Sequence, residues 1–270
     1  MSKETAASKR PRTISRPSAP PVGIQPGRIA FLGQGRIHAG SAPASDQACF
    51  IQVLCWPLAS HAWAALTSSW ATIKSLRDGS SSHLTINKRP PPPPSWVHDA
   101  VPNLGAPFRD NPAEESTLAA WVSRAQVSLS LSVVAEDQRR GKASSPYPAS
   151  LGECLSGYVD FLEFPGHEPC QLVVAGPLPA IETQQLTSAL IEVQKRLGDT
   201  PTMQRLAKLP LRTCGDGEVP LPVDFANLVA AAVARFVDAP GVPNPVFDAI
   251  RPKLAHVPRR VAALEGHRRR

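Results

Sequence analysis

The stretch NPAEESTLAAWVSRAQVSLSLSVV, residues 111–134, decides the fold because it places a helix pattern directly before a strand pattern. Asn111 is a candidate helix cap, Pro112 suits the first helical position, and two glutamates follow in the first turn, so we predict a helix over residues 111–125. Apolar residues then alternate with serines at Val127, Leu129, Leu131 and Val133. This period of two predicts a strand with one buried face.

The rest of the second half carries further short elements. GYVDFLEF at 157–164 alternates, and CQLVVAG at 170–176 is a short apolar run, so both predict strands. Apolar spacings of three and four residues predict helices at 181–199, 201–208, 223–237 and 244–254. One helix, three strands and four helices, in that order, predict an α+β core domain over residues 111–254, with a short antiparallel sheet packed with several helices.

Two more strands are predicted earlier in the chain, at 28–33 (RIAFLG) and 49–55 (CFIQVLC). Gly33, Gly35 and Gly40 follow the first of them. A dinucleotide site would need a helix to begin at these glycines, and a Pro/Ser/Ala stretch follows instead. A glycine-rich turn is therefore the favoured interpretation.

A helix is predicted after Pro57, with one face formed by Trp63, Leu66, Trp70 and Ile73. The polar face of this helix lacks the Lys and Arg density of helices that seek a membrane surface, so we expect the tryptophans to pack on a core. The uncharged run over residues 47–73 contains proline and several polar residues, so no membrane span is predicted.

The charge of the chain is distributed unevenly. Residues 1–40 carry a net charge of +6, residues 41–110 of +1, residues 111–250 of −6 and residues 251–270 of +6, which gives +7 for the whole chain. Residues 1–27 contain almost no large apolar side chains, so a disordered basic arm is predicted there, and a basic tail is predicted at 255–270. Such ends are typical of proteins that meet an anionic partner, although solvated tails are the alternative.

The cations of these two ends are the candidate nucleic-acid-binding residues, because lysine and arginine contact phosphates without reading bases. The candidates are Lys9, Arg10, Arg12, Arg16, Arg259, Arg260, Arg268, Arg269 and Arg270. Lys9-Arg10-Pro11-Arg12 also fits a short basic pattern for nuclear import in a eukaryotic host.

A five-proline run in NKRPPPPP, residues 87–94, predicts a polyproline II segment. The favoured interpretation is a proline-rich spacer over residues 87–110, between a strand–helix segment at 28–86 and the core domain. Lys88, Pro91 and Pro94 also match a motif that a proline-binding domain of the SH3 type reads, so these three are candidate partner-binding residues.

The five cysteines form no C-x-x-C pair, and their odd number favours reduced thiols in an intracellular protein. Cys154, His167, Cys170 and Cys214 could supply zinc ligands or a nucleophile, but only His167 and Cys170 have ligand-like spacing. Asp216 and Glu218 could hold a divalent cation with oxygen ligands, but a turn is the favoured interpretation. We therefore predict no catalytic residue, no metal and no cofactor.

Together these features predict a non-enzymatic nucleic-acid-associated protein, with basic tails and a scaffold or oligomerisation core. The first alternative is a protein-interaction module that uses the proline run and the tryptophan-bearing helix. The second is an enzyme or zinc site near Cys154, His167 and Cys170. Whether residues 28–110 pack on the core is left open by the sequence.

Overall fold

We describe the fold from a computed structural model of the 270-residue chain. It describes residues 25–37, 48–70, 112–136, 145–164, 166–196, 208–214, 220–258 and 261–262, together with residues 202 and 206.

The described residues form a single sheet with helices on both of its faces. Its strands are β1 (Ile29–Ile37), β2 (Cys49–Pro57), β3 (Val127–Ala135), β4 (Leu172–Ala175), β5 (Leu211–Thr213) and β6 (Leu254–His256). The helices are α1 (residues 62–70), α2 (Pro112–Arg124), α3 (Tyr147–Leu162), α4 (Ala180–Arg196), α5 (Leu221–Asp238) and α6 (Pro245–Ile250).

The sheet is mixed and has the strand order β5-β4-β1-β2-β3-β6. Its centre is antiparallel, since β2 pairs antiparallel with β1 and with β3. The outer pairs β1–β4, β4–β5 and β3–β6 are parallel. The fold class is therefore α+β, as predicted. Strands β1 and β2 lie at the middle of the sheet, so residues 29–37 and 49–57 share their core with the second half of the chain.

The two faces of the sheet differ in the helices that cover them. One side, here called the apolar face, is covered by α1, α2, α5 and α6, and its strand residues include Phe31, Val53 and Leu129. The other side, here called the polar-row face, is covered by α3 and α4. Because side chains alternate along a strand, each of the three central strands contributes to both faces.

Strand β3 shows why the alternating serines did not mark an exposed face. Its apolar residues face one side as predicted, but Ser128, Ser130 and Ser132 are buried as well. Helix α3 lies so close to them that a Cβ atom at Gly157 would fall 2.4 Å from Ser130 Oγ. The prediction of one buried face is therefore wrong, because here serine supplies a small side chain that allows close helix packing.

The predicted strand at 157–164 is wrong, because most of that stretch belongs to helix α3. The buried residues Tyr147, Leu151, Cys154, Leu155 and Tyr158 recur at three- and four-residue steps along α3. This helical stripe begins ten residues before the stretch that alternates, so the short alternation is coincidental.

The predicted glycine-rich turn is also wrong in the part that the structure describes, since Gly33 and Gly35 lie within β1. Helix α5 packs directly on this strand. A Cβ atom at Gly33 would fall 2.2 Å from the carbonyl carbon of Ala226, so only glycine allows this approach of helix to strand.

The other helices named here lie where the sequence predicts them, and one of them is shorter than predicted. Helices α2, α4 and α5 confirm the predictions at 111–125, 181–199 and 223–237. The helix predicted at 244–254 ends at Ile250, and a 3₁₀ turn at Arg251–Lys253 leads into β6. Pro252 has no N–H with which to continue the α-helix, and the residues after it pair with the edge of β3 instead.

The tryptophans pack in the interior, as expected. Trp63 of α1 is buried, its ring meets Phe31 edge-on at 5.0 Å, and its Nε1–H donates to the carbonyl of Ile29 at 2.9 Å. Trp70 packs against Trp121 on the same face. Trp56 is buried on the polar-row face.

Candidate functional site

A row of polar side chains crosses the centre of the sheet on the polar-row face. Gln34 of β1 pairs in register with Gln52 of β2, and Gln52 pairs with Ser132 of β3. Gln52 and Ser132 are fully buried. We call these three residues the polar row.

Helices α3 and α4 supply the hydrogen-bond partners of the polar row. Ser150 Oγ donates to Gln52 Oε1 at 2.6 Å, and Ser132 Oγ donates to Glu153 Oε2 at 2.5 Å. The Tyr147 hydroxyl lies 3.1 Å from Gln34 Oε1 and 2.8 Å from Glu182 Oε2. The contacts join three strands to two helices, which fixes the side-chain positions.

Beside the row, the guanidinium of Arg36 faces two carboxylates, those of Glu182 and Glu136. Arg36 Nη1 lies 3.8 Å from Glu182 Oε1, its Nε lies 3.7 Å from Glu136 Oε1, and its guanidinium stands over the Phe50 ring at 5.4 Å. Burial, followed by the hydrogen bond to Glu182, raises the pKa of Tyr147 well above its usual value. Tyr147 therefore remains a neutral hydrogen-bond donor.

Gln52 has one unsatisfied group. Its side chain is completely buried, its oxygen accepts from Ser150, and its Nε2 has no hydrogen-bond partner among the described residues. A buried unpaired amide of this kind costs about 1–3 kcal/mol. The unpaired Nε2 therefore offsets part of the stability that the hydrogen bonds of the polar row contribute.

A cleft of about 200 Å³ opens at the end of the row, beside the middle of β1 and the carboxyl end of β4. Gln34 and Asn227 are its amide-bearing residues, and the loop at residues 176–178 forms one wall. Asn227 Oδ1 accepts from the backbone N–H of Gln34 at 3.1 Å. The cleft thus lies between α4 on one face of the sheet and α5 on the other.

The cysteines and histidine considered from the sequence do not form a reactive site. Cys154 is fully buried, with its Sγ 3.4 Å from the carbonyl of Gln52, and burial raises the pKa of its thiol strongly. Burial also raises the pKa of Cys170 and of Cys214 to about 11. Because the thiolate is the nucleophile and the metal ligand, these thiols are held in the unreactive form.

His167 lies at the surface and stacks on Phe161, with ring centroids 3.8 Å apart. Its Nδ1 is 2.7 Å from the carbonyl oxygen of Phe161. Within the described ranges, no three His, Cys, Asp or Glu side chains are placed to hold a metal ion.

Several predicted site residues lie outside the described residues. These are the nine candidate nucleic-acid-binding cations, the partner-binding residues Lys88, Pro91 and Pro94, and the turn residues Asp216 and Glu218. Beside the C-terminal cations, however, Val261 is fully buried and packs on the apolar face.

Sequence reasoning missed the polar row and the cleft. The available signals were a glutamine within the apolar strand CFIQVLC and another between two glycines in GQG. A glutamine in a strand with buried neighbours requires a polar partner, which would have indicated Gln52. Nothing local in the sequence connects Asn227 with Gln34, since 193 positions separate them.

Among the described residues, no helix is both long and apolar enough to cross a membrane. Comparison of the chain with protein-family models and with curated proteins finds no match.

Proposed function

We propose that this chain is a non-enzymatic nucleic-acid-associated protein that binds the phosphate backbone through its basic ends, with the α+β core as a scaffold or oligomerisation unit. The single observation that carries the proposal is the charge distribution: +6 over residues 1–40, −6 over residues 111–250 and +6 over residues 251–270. An acidic centre directs a polyanion towards the ends of the chain. We further propose an intracellular location, which is nuclear in a eukaryotic host.

The properties of the core are consistent with a binding role. The three thiols considered as nucleophiles have raised pKa values, and each side chain of the polar row has a hydrogen-bond partner on α3. Both features favour a scaffold over a catalyst.

The test replaces charge and leaves the chain length unchanged, because Val261 belongs to the core and a C-terminal truncation would risk unfolding it. One full-length variant changes all nine candidate cations, from Lys9 to Arg270, to glutamine. Binding to duplex DNA is measured by fluorescence anisotropy over a series of salt concentrations. If all nine cations contact phosphates, the slope of log affinity against log salt is about −8 in the unchanged protein and approaches zero in the variant.

A matched control neutralises four exposed cations of the core, Arg124, Lys195, Lys208 and Arg212, for comparison with a variant that neutralises Lys9, Arg10, Arg12 and Arg16. We expect the control to keep its affinity and the N-terminal variant to lose it. Equal binding by the nine-site variant and the unchanged protein would overturn the proposal. The interaction module built on Lys88, Pro91 and Pro94 would then become the leading function.

A further inference from the structure

We propose that the cleft beside β1 and β4 is a binding site for one small, uncharged, planar molecule with an amide-like edge, such as an aromatic carboxamide or a pyrimidine base. This site is separate from the basic ends, so it does not depend on nucleic-acid binding. The position of the cleft, its hydrogen-bonding groups, its apolar walls and its size all suit such a ligand.

The position of the cleft is one that sheets with parallel strands use for ligands. Strands β1, β4 and β5 run parallel; β4 and β5 end side by side at Ala175 and Thr213, while β1 continues past them to Ile37. Helix α4 leaves the end of β4 on the polar-row face, while α5 covers β1 on the apolar face. A crevice outside the carboxyl ends of strands, between helices on opposite faces, is the usual ligand site in such sheets.

The edge of β1 offers an acceptor beside a donor. Pairing of β1 with β4 ends at Leu32 and Ala175, so β4 does not cover the edge of β1 beyond that point. The N–H of Gln34 instead donates to Asn227 Oδ1 at 3.1 Å. Since the N–H and C=O of one strand residue point to the same side, the Gln34 carbonyl faces this edge too.

The same hydrogen bond fixes the orientation of the Asn227 amide. Its oxygen accepts from the Gln34 N–H, so its Nδ2 group is the end that can donate to a ligand. The Gln34 carbonyl accepts and the Asn227 amide donates. An amide-like edge carries the complementary pair, an N–H donor next to a C=O acceptor.

The walls of the cleft favour a flat, uncharged ring. Leu32, Leu178 and Leu186 line it, and no lining residue carries a charge. The nearby Arg36 and Glu182 are paired with each other, and buried Asp224 lies one turn before Asn227 on α5, so an anion is disfavoured. A volume of about 200 Å³ is below the roughly 300–1,000 Å³ of sites for drug-sized ligands, which suits a single ring.

The test compares three molecules of one shape on the full-length protein by ligand-observed NMR and calorimetry. Benzamide carries a donor and an acceptor, benzoate carries only acceptors and a negative charge, and benzamidine carries only donors and a positive charge. We expect benzamide to bind with a millimolar Kd, at least about tenfold tighter than either charged analogue. Uracil and nicotinamide, tested side by side, then distinguish a pyrimidine base from an aromatic carboxamide.

Two variants locate the binding. Leu178→Trp fills the cleft, and its control Leu58→Trp adds the same bulk at an exposed position outside it. Asn227→Asp keeps the acceptor for Gln34 and removes the donor, and its control Gln185→Glu makes the same amide-to-acid change on the exposed side of α4. We expect each cleft variant to weaken benzamide at least about tenfold and each control to leave it unchanged.

The proposal is overturned if the three ligands bind equally, if benzamidine binds most tightly, or if none binds. It is also overturned if benzamide binding survives Leu178→Trp. If Leu178→Trp fails to fold, as judged by circular dichroism, Asn227→Asp decides: weaker benzamide binding supports the proposal, and unchanged binding overturns it.

Discussion

The two faces of the sheet are built in different ways, although strands β1, β2 and β3 contribute side chains to both. On the apolar face, residues from four helices fill the interior with aliphatic and aromatic side chains, and backbone meets backbone at Gly33. On the polar-row face, two helices enclose glutamine, serine, tyrosine and glutamate side chains joined by hydrogen bonds. The difference suggests that the apolar face holds the fold together, while the polar-row face keeps polar groups in place beside the cleft.

This contrast has an energetic basis. Burial of apolar side chains stabilises the fold in proportion to the buried area. Because interiors are close-packed, removing side-chain volume there is costly. A buried hydrogen bond contributes only about 0.5–1.5 kcal/mol net, since the unfolded chain bonds to water instead. Substitutions that remove similar amounts of side chain should therefore have unequal effects on the two faces.

The largest effect is expected at Gly33, where the apolar face is tightest. In Gly33→Ala the added methyl group meets the backbone of Ala226, which cannot rotate away, so we expect a loss of about 4 kcal/mol in the free energy of unfolding. Gly35→Ala is the matched control, because its Cβ would lie 3.4 Å from the nearest atom, the carbonyl oxygen of Ala230. Urea unfolding measures both. Equal stability of the two variants would show that α5 does not pack on β1 in this way.

A paired substitution of intermediate size compares the two faces directly. Phe225 is fully buried on the apolar face, with its ring 5.4 Å from that of Trp121, so Phe225→Ala should cost about 3 kcal/mol by creating a cavity. Gln52→Met conserves shape on the polar-row face and removes the unpaired Nε2, while Ser150 can still donate to the carbonyl of Tyr147. We expect a change within about 1 kcal/mol. A larger loss for Gln52→Met than for Phe225→Ala would reverse the assignment of the stabilising face.

The smallest effect is a pH dependence on the polar-row face. Burial raises the pKa of Cys170 from about 9 to about 11 in the folded protein. The unfolded thiol ionises first, so this contribution to stability is fully present below pH 9 and is lost as the pH rises towards 11. Between pH 8 and pH 10, the free energy of unfolding should fall by about 1 kcal/mol less in the Cys170→Ala variant than in the unchanged protein. If denaturant unfolding gives the two proteins the same dependence of unfolding free energy on pH, this prediction is wrong.

Much of the architecture could be predicted from local pattern. The amphipathic spacing of Leu186, Leu190 and Val193 predicted α4, and the alternation in residues 127–133 predicted β3, because these periods are properties of the backbone itself. The failures came where a distant element determined the environment. The alternation at 157–164 was overridden by a longer helical stripe, and the serines of β3 were buried by α3.

The sequence by itself determined the uneven charge, the α+β class and most helix positions, because each follows from composition or from neighbours a few residues apart. Only the tertiary structure decided the role of Gly33 and Gly35, which depends on a helix almost 200 positions later in the chain. It alone decided the cleft as well, since Gln34 and Asn227 meet through strand pairing and helix packing. Contacts of that range are set by how whole surfaces fit together, and no local period records them.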